Sequence, residues 1–251
     1  MPLSIPANET NYERVQRFNL LTRWLHSRRY VLLLGIAKRL ARETPGRPLR
    51  IADIGCGVAK VYGFLNERLA IEYVGIDHDP EFCRVAAERY GTNPNFRVLC
   101  ASADDPVALA QVGQPDLVCA LETLEHIPEP VGIRIVGSIA ALRPRLFVAS
   151  VPVEVGPAAW IKHLGSMTLG YRRHLHRRAD EVFWAGLYQT HRLPPHQTGH
   201  SGWDWRWLGQ TIRHYMRIRE VRKAPLPFLP AGLSFSVIFL AEPRPERPGQ
   251  S

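Results

Sequence analysis

The sequence predicts an α/β fold built on one mostly parallel sheet with helices on both faces, and three observations carry that reading. Strand-like and helix-like stretches alternate between residues 49 and 152, the pattern of strands joined by helical crossovers. The first strand runs straight into a glycine loop, "IADIGCGVAK", a place where backbone can approach a ligand closely. At 251 residues, 45% hydrophobic and 22% charged, the chain suits one sizeable core with appended pieces better than two full domains.

Taken in order, residues 11–42 place Val15, Phe18, Leu21, Leu25, Leu32, Ile36 and Leu40 at helical spacing against arginines, which predicts two amphipathic helices in a cap spanning 1–45. "ETPGRP" is a linker. A core from 46 to 152 follows: strand "LRIADIG", a helix near 59–70, strand "EYVGID", helix "PEFCRVAAERYG", strand "FRVLCA", a short helix, strand "PDLVCAL", a helix over 131–142 and strand "RLFVASVP". Residues 153–202 carry Gly, Pro and scattered histidines without clear periodicity, and read as an irregular lid or insert. Order returns over 203–242 with helix "WDWRWLGQTIRHYM" and two strands, "RIREVRKA" and "LSFSVIFLAE", that pair as an antiparallel hairpin; "PRPERPGQS" (243–251) reads as a disordered tail. No internal repeat is visible.

The longest apolar runs, "YVLLLGIA" and "LSFSVIFLA", are far short of a bilayer span, so no transmembrane segment is expected. The amino-terminal residues read neither as a secretory signal nor as a transit peptide. Cys56, Cys83, Cys100 and Cys119 lack C-x-x-C spacing, which fits a reduced, cytoplasmic protein. The formal charge of +9 comes almost wholly from arginine; it suits an anionic partner, or is a solvated basic surface. Oligomeric state has no signature.

The glycine loop narrows the ligand. A dinucleotide site places a third glycine where this chain has Lys60, and the Asp53 carboxylate falls where a pyrophosphate would lie, so like charges would repel. A cationic ligand without phosphate fits better. Asp77 ends the next strand, placed to accept hydrogen bonds from ribose hydroxyls.

On these residues the chain, over about 48–152, resembles the class I S-adenosylmethionine-dependent methyltransferases. The resemblance implies a Rossmann-like, seven-stranded, mostly parallel sheet with a C-terminal antiparallel hairpin. It also implies a cofactor-binding set of Asp53, Gly55, Cys56, Gly57, Asp77, His78, Ser102, Ala103 and Leu121. Asp53 and the glycines would line the methionine end, Asp77 the ribose and His78 the adenine. Ser102 stands where family members often carry an acid for the adenine amine, with Asp104 as its substitute.

The fourth strand leads into "LETLEHIPEP". If helical after Ala120, this stretch puts Glu122, Glu125 and His126 on one face. They would lie beyond the carboxyl end of the strand, where open α/β sheets bind ligands. In similar small-molecule methyltransferases such residues organise the loop. The motif also resembles, more weakly, the E-x-x-E-H of small-RNA 3′-terminal 2′-O-methyltransferases, which implies a metal set of Glu122, Glu125, His126 and the distant His200 of "GHSGWDWRW", holding magnesium or manganese, with zinc as an alternative. His174 and His176 compete with His200. Loop anchor, metal ligand and metal-free base remain three readings; the base candidates are Glu122, His126 and His200. Trp203, Trp205 and Trp207 read as helix packing, and His26, His163 and His214 as surface or packing residues.

The expected function is methyl transfer from S-adenosylmethionine to an oxygen or nitrogen of a small-molecule metabolite. The alternatives are metal-dependent methylation of the terminal ribose of RNA, and a non-catalytic S-adenosylmethionine-binding protein.

Overall fold

The computed structural model describes residues 20–169 and 178–245. Seven strands form one sheet in the order β3-β2-β1-β4-β5-β7-β6. They are β1 Leu49–Ile54, β2 Ile71–Asp77, β3 Phe96–Cys100, β4 Leu117–Leu121, β5 Leu146–Pro152, β6 Met216–Ala224 and β7 Ser236–Pro243. β1 to β5 run parallel, and β7 lies antiparallel to both β5 and β6. The sheet order turns outward at β1 and β4, so the crevice beyond their carboxyl ends is where this architecture accepts ligands.

The helices are α1 Leu20–Arg42, α2 Lys60–Asn66, α3 Pro80–Tyr90, α4 Pro106–Ala110, α5 Glu129–Ala141, α6 Pro157–Leu169, α7 Ala179–Gly186 and α8 Trp205–Tyr215. Both faces of the sheet are covered, and the period-2 alternation of the strands sorts side chains between them. Leu117, Cys119, Leu146 and Val148 join a core with Leu33, Ile36, Ala37 and Leu40 of α1. Val118, Ala120, Phe147 and Ala149 face Ile135 and Ile139 of α5 and Leu208 and Ile212 of α8. On the first face Tyr62, Tyr73, Tyr90 and Phe96 form an aromatic cluster, with Tyr73 stacked on Phe96 at 5.5 Å.

Asp79 and Asp105 cap α3 and α4 by accepting hydrogen bonds from first-turn amides, each followed by Pro at the first helical position, where no amide hydrogen is needed. Asp204 caps α8 in the same way through Arg206 N.

Three expectations change. Of the two predicted amino-terminal helices, residues 11–19 lie outside the described residues, and 20–42 form one continuous helix. The insert expected to be irregular carries α6 and α7, with Val155, Ala159, Ala185 and Leu193 packed as a small core of their own. Their helical period was hidden because α6 also exposes apolar side chains on its outer face, which erases the polar stripe that marks an amphipathic helix. The tail was expected to be disordered from Pro243, yet Pro243 ends β7 and Arg244 donates to the Arg213 carbonyl; residues 246–251 lie outside the described residues.

Candidate active site

A cavity of about 330 Å³ opens beyond the carboxyl ends of β1, β2 and β4. Its floor is the glycine loop. Gly55 N and Cys56 N donate to Ile76 O at 2.8 and 3.1 Å, which pins the loop to the end of β2. Gly55 has φ +69°, and a Cβ there would meet Thr123 Cγ2 at 2.1 Å. Only glycine fits that approach.

Asp77 ties loop to strand: its Oδ2 accepts from Gly57 N at 2.7 Å and its Oδ1 from Asp79 N at 3.0 Å. His78 borders the same rim, with its side chain 87% exposed.

Asp53 is buried at the cavity wall. Tyr73 Oη donates to its Oδ2 at 2.6 Å and Cys119 Sγ to its Oδ1 at 3.4 Å. Burial nonetheless pushes the carboxyl up to about 7, against the lowering by those two hydrogen bonds. Burial likewise raises the Cys56 and Cys119 thiols, with the Asp53 carboxylate adding to it, so they stay protonated and serve as packing and as a hydrogen-bond donor rather than as nucleophiles.

Leu121 lines the cavity as expected. Ser102 and Ala103 are not among its lining residues. Ser102 Oγ donates to Asp104, and Asp104 is also held by Arg134 Nη2 at 2.7 Å, so the proposed substitute for an adenine-binding acid is committed to two neighbours.

The "LETLEH" stretch does not form the single helical face first imagined. Glu122 has φ +56°, in the left-handed region uncommon for residues other than glycine, and only Leu124–His126 form a 3₁₀ turn. The three side chains therefore diverge. Glu122 Oε1 accepts from Ser150 Oγ at 3.0 Å and its Oε2 lies 3.6 Å from Arg29 Nη1. Glu125 is fully buried, and among the described residues neither carboxylate oxygen has a hydrogen-bond partner; burial first, then the Glu122 charge, push its carboxyl well above the usual range. His126 stays on the cavity rim, with Nε2 3.9 Å from Glu125 Oε1.

His200 is brought into the same neighbourhood, its ring 5.4 Å from that of His126 in an edge-to-face arrangement. Its Nδ1 lies 3.2 Å from Glu154 Oε1, and Glu154 in turn pairs with Lys162 Nζ at 3.1 Å. His196 anchors this loop, with Nε2 3.3 Å from Ile127 O. His174 and His176 lie outside the described residues.

Among the described residues no three His, Cys, Asp or Glu side chains form a group able to hold a metal ion. The physical reason is that Glu122 turns to Ser150 and Arg29, Glu125 into the core and His200 to Glu154. Arg29 and Lys162 lie beside Glu122 and Glu154 as compensating cations.

Sequence reasoning missed Arg29, Tyr30, Lys60, Phe82 and Thr123 on the cavity wall, and Glu154 behind His200. Thr123 was signalled by its place inside the motif. Arg29 carried no signal, being one of many arginines on an amphipathic helix. The tryptophans behave as packing: Trp203 is fully buried against His196 and Trp207, and Trp205 packs near Phe239.

This sheet order, with an acid-flanked glycine loop at its reversal point, defines the Rossmann-like methyltransferase fold. Residues 51–144 match the family described as Methyltransferase domain. It is 34% identical over 134 residues to a ubiquinone biosynthesis O-methyltransferase of Xanthomonas axonopodis pv. citri (strain 306), covering 51% of this chain and 52% of that protein. The chain thus spans about half the length of the curated relatives it matches.

The fold resembles magnesium protoporphyrin IX methyltransferase (ChlM) from Synechocystis PCC 6803 with bound SAH, with TM-score 0.57, 16% identity and coverage of 94% of this chain and 95% of that one. It also resembles the methyltransferase domain of bacterial CtHen1-C, with TM-score 0.58, 14% identity and coverage of 87% and 98%. Among the described residues no helix is long and apolar enough to cross a membrane.

Proposed function

We propose that this protein transfers a methyl group from S-adenosylmethionine to an oxygen of a small molecule. The observation that carries the reading is the bond from Gly57 N to Asp77 Oδ2, which joins the acid ending β2 to the glycine loop following β1. The matched relatives, named as O-methyltransferases, support oxygen as the acceptor.

When bound, S-adenosylmethionine supplies an electrophilic methyl on a sulfonium centre. Asp77 would hold the ribose hydroxyls, Asp53 and the glycine loop the cationic methionine end, and His78 the adenine side. The chain's own part is alignment and exclusion of water. Arg29 and Tyr30 of α1 close one wall of the cavity, and Glu122, backed by Ser150, fixes the floor of the acceptor side. An acceptor hydroxyl must lose its proton as its oxygen gains the methyl. His126, exposed on the rim, and His200, whose Nδ1 lies 3.2 Å from Glu154 Oε1, are the candidate bases beside Glu122.

The test is transfer of labelled methyl from S-adenosylmethionine to small hydroxyl acceptors, small amines and a 3′-unmodified RNA oligonucleotide, each with manganese and with chelator. This reading expects label in a hydroxyl acceptor at a rate insensitive to chelator. Labelling of RNA alone, lost with chelator, would replace it by the terminal-ribose reading. Tight cofactor binding with no acceptor labelled would leave a binding protein.

A further inference from the structure

We propose that the face formed by α6, α7 and the β6–β7 loop docks this protein on an anionic lipid bilayer. Seven of the twelve large hydrophobic side chains exposed among the described residues lie on these three segments, and Leu187 and Tyr188 follow directly after α7, a concentration that scattered surface apolar residues do not produce. Ile161 is 59% exposed, Phe183 51% and Leu187 42%, while Phe228 in the β6–β7 loop reaches 75%.

The three segments form one surface. A Cβ on Gly186 of α7 would meet the Trp160 indole of α6 at 1.9 Å, and one on Gly232 of the loop would meet Tyr188 Oη at 1.7 Å. The polarity of α6 is inverted for a helix facing water. It turns Lys162 inward, with a side chain only 7% exposed, onto Glu154, and turns Trp160 and Ile161 outward.

The border of the face and the charge of the chain favour lipid over a protein groove. Arg192 lies over the Trp184 ring at 4.1 Å and Arg206, paired with Asp204, over Tyr188 at 4.7 Å, and Arg178 at the head of α7 has a side chain 77% exposed beside Asp180 at 3.1 Å. Aromatic rings edged by guanidinium groups suit the headgroup layer, where apolar faces enter and cations meet phosphate. A chain carrying +9 is drawn to an anionic surface, while its apolar side chains hold it there. No described helix is long and apolar enough to cross a membrane, and the attachment proposed is peripheral. The surface lies on the segment that follows β5, whose Glu154 lies against His200. None of this depends on the identity of the methyl acceptor, and the test reads lipid binding without any methyl transfer.

The full chain is floated with vesicles of phosphatidylcholine alone and of phosphatidylcholine mixed with phosphatidylglycerol, at low and high salt. Wild type is expected to float with the mixed vesicles, less at high salt, and to stay mostly free of phosphatidylcholine alone. Combining Ile161→Ser, Phe183→Ser and Phe228→Ser should cut partitioning at least about tenfold with S-adenosylhomocysteine binding retained. Arg178→Glu should weaken only the anionic case. Phe228→Ser alone, on a loop, covers the event that the triple variant fails to fold, and it should still lower partitioning measurably. The proposal is overturned if wild type floats with neither vesicle, if the serine variants float as well as wild type, or if the face instead mediates a dimer that the same substitutions dissociate while no vesicle is bound.

Discussion

Asp77 at the end of β2 reaches back to the loop after β1, its Oδ2 accepting from Gly57 N at 2.7 Å. One carboxylate therefore both shapes the glycine loop and faces the cavity. Asp77→Ala removes the acceptor of that backbone donor together with the ribose-binding group, and a loss of at least about 2 kcal/mol of cofactor affinity is expected. Asp77→Asn keeps one acceptor oxygen and should retain part of it. Calorimetric titration with S-adenosylhomocysteine reads both; wild-type affinity in the alanine variant would remove Asp77 from the site.

Asp53 gives the cavity a pH dependence. Its folded carboxyl stands at about 7 against about 3.9 in an unfolded chain, so the fold favours the neutral acid. The stability it contributes is complete below about pH 4, declines as pH rises towards 7, and above that leaves a penalty on the order of 4 kcal/mol. A cationic ligand beside it favours the carboxylate, so cofactor binding should release a proton near neutrality and tighten as pH rises through about 7. Asp53→Asn should flatten both the stability slope and the affinity profile. Titration in buffers of different ionisation heat measures the proton, and no proton release by wild type would contradict the assignment.

The parts legible in the sequence are those set by local pattern. Alternating strands, the loop around Gly55 and Gly57, and the acids at Asp53 and Asp77 follow from period and spacing, and the sheet order and hairpin agree with them. What escaped depends on contacts distant in sequence or on backbone turns that no period encodes. The left-handed Glu122 sends its side chain to Ser150 instead of along a helix, and Glu154 matters only because His200 and Lys162 fold onto it. The helices of the insert escaped for the opposite reason, since α6 is apolar on its outer face as well as its inner one.

Two glycine-to-alanine changes should move in opposite directions. Gly55→Ala places a methyl 2.1 Å from Thr123 Cγ2 at φ +69°, combining left-handed strain with overpacking for a loss of roughly 2–5 kcal/mol. Cofactor binding should fall with it. Gly35, exposed within α1, has nothing within 4 Å of its Cβ position, and Gly35→Ala should stabilise by about 0.5–1 kcal/mol through helix propensity. Urea midpoints of the two variants check both signs.

Lys162 and Glu154 form an ion pair with side chains 7% and 1% exposed, and Glu154 also lies against His200. Removing one partner takes away the nearest opposite charge of a buried group, so Lys162→Met should destabilise by roughly 3–5 kcal/mol. Glu154→Gln alone keeps the shape but strands the ammonium, with a similar cost. The double variant removes both charges and should recover most of the loss, giving a coupling of at least about 1 kcal/mol in a double-mutant cycle. If His200 is the base, kcat in the recovered double variant should still fall, because the imidazole has lost the carboxylate charge beside it. Stability restored together with full activity would make the pair a purely structural brace and leave His126 and Glu122 as the remaining candidates.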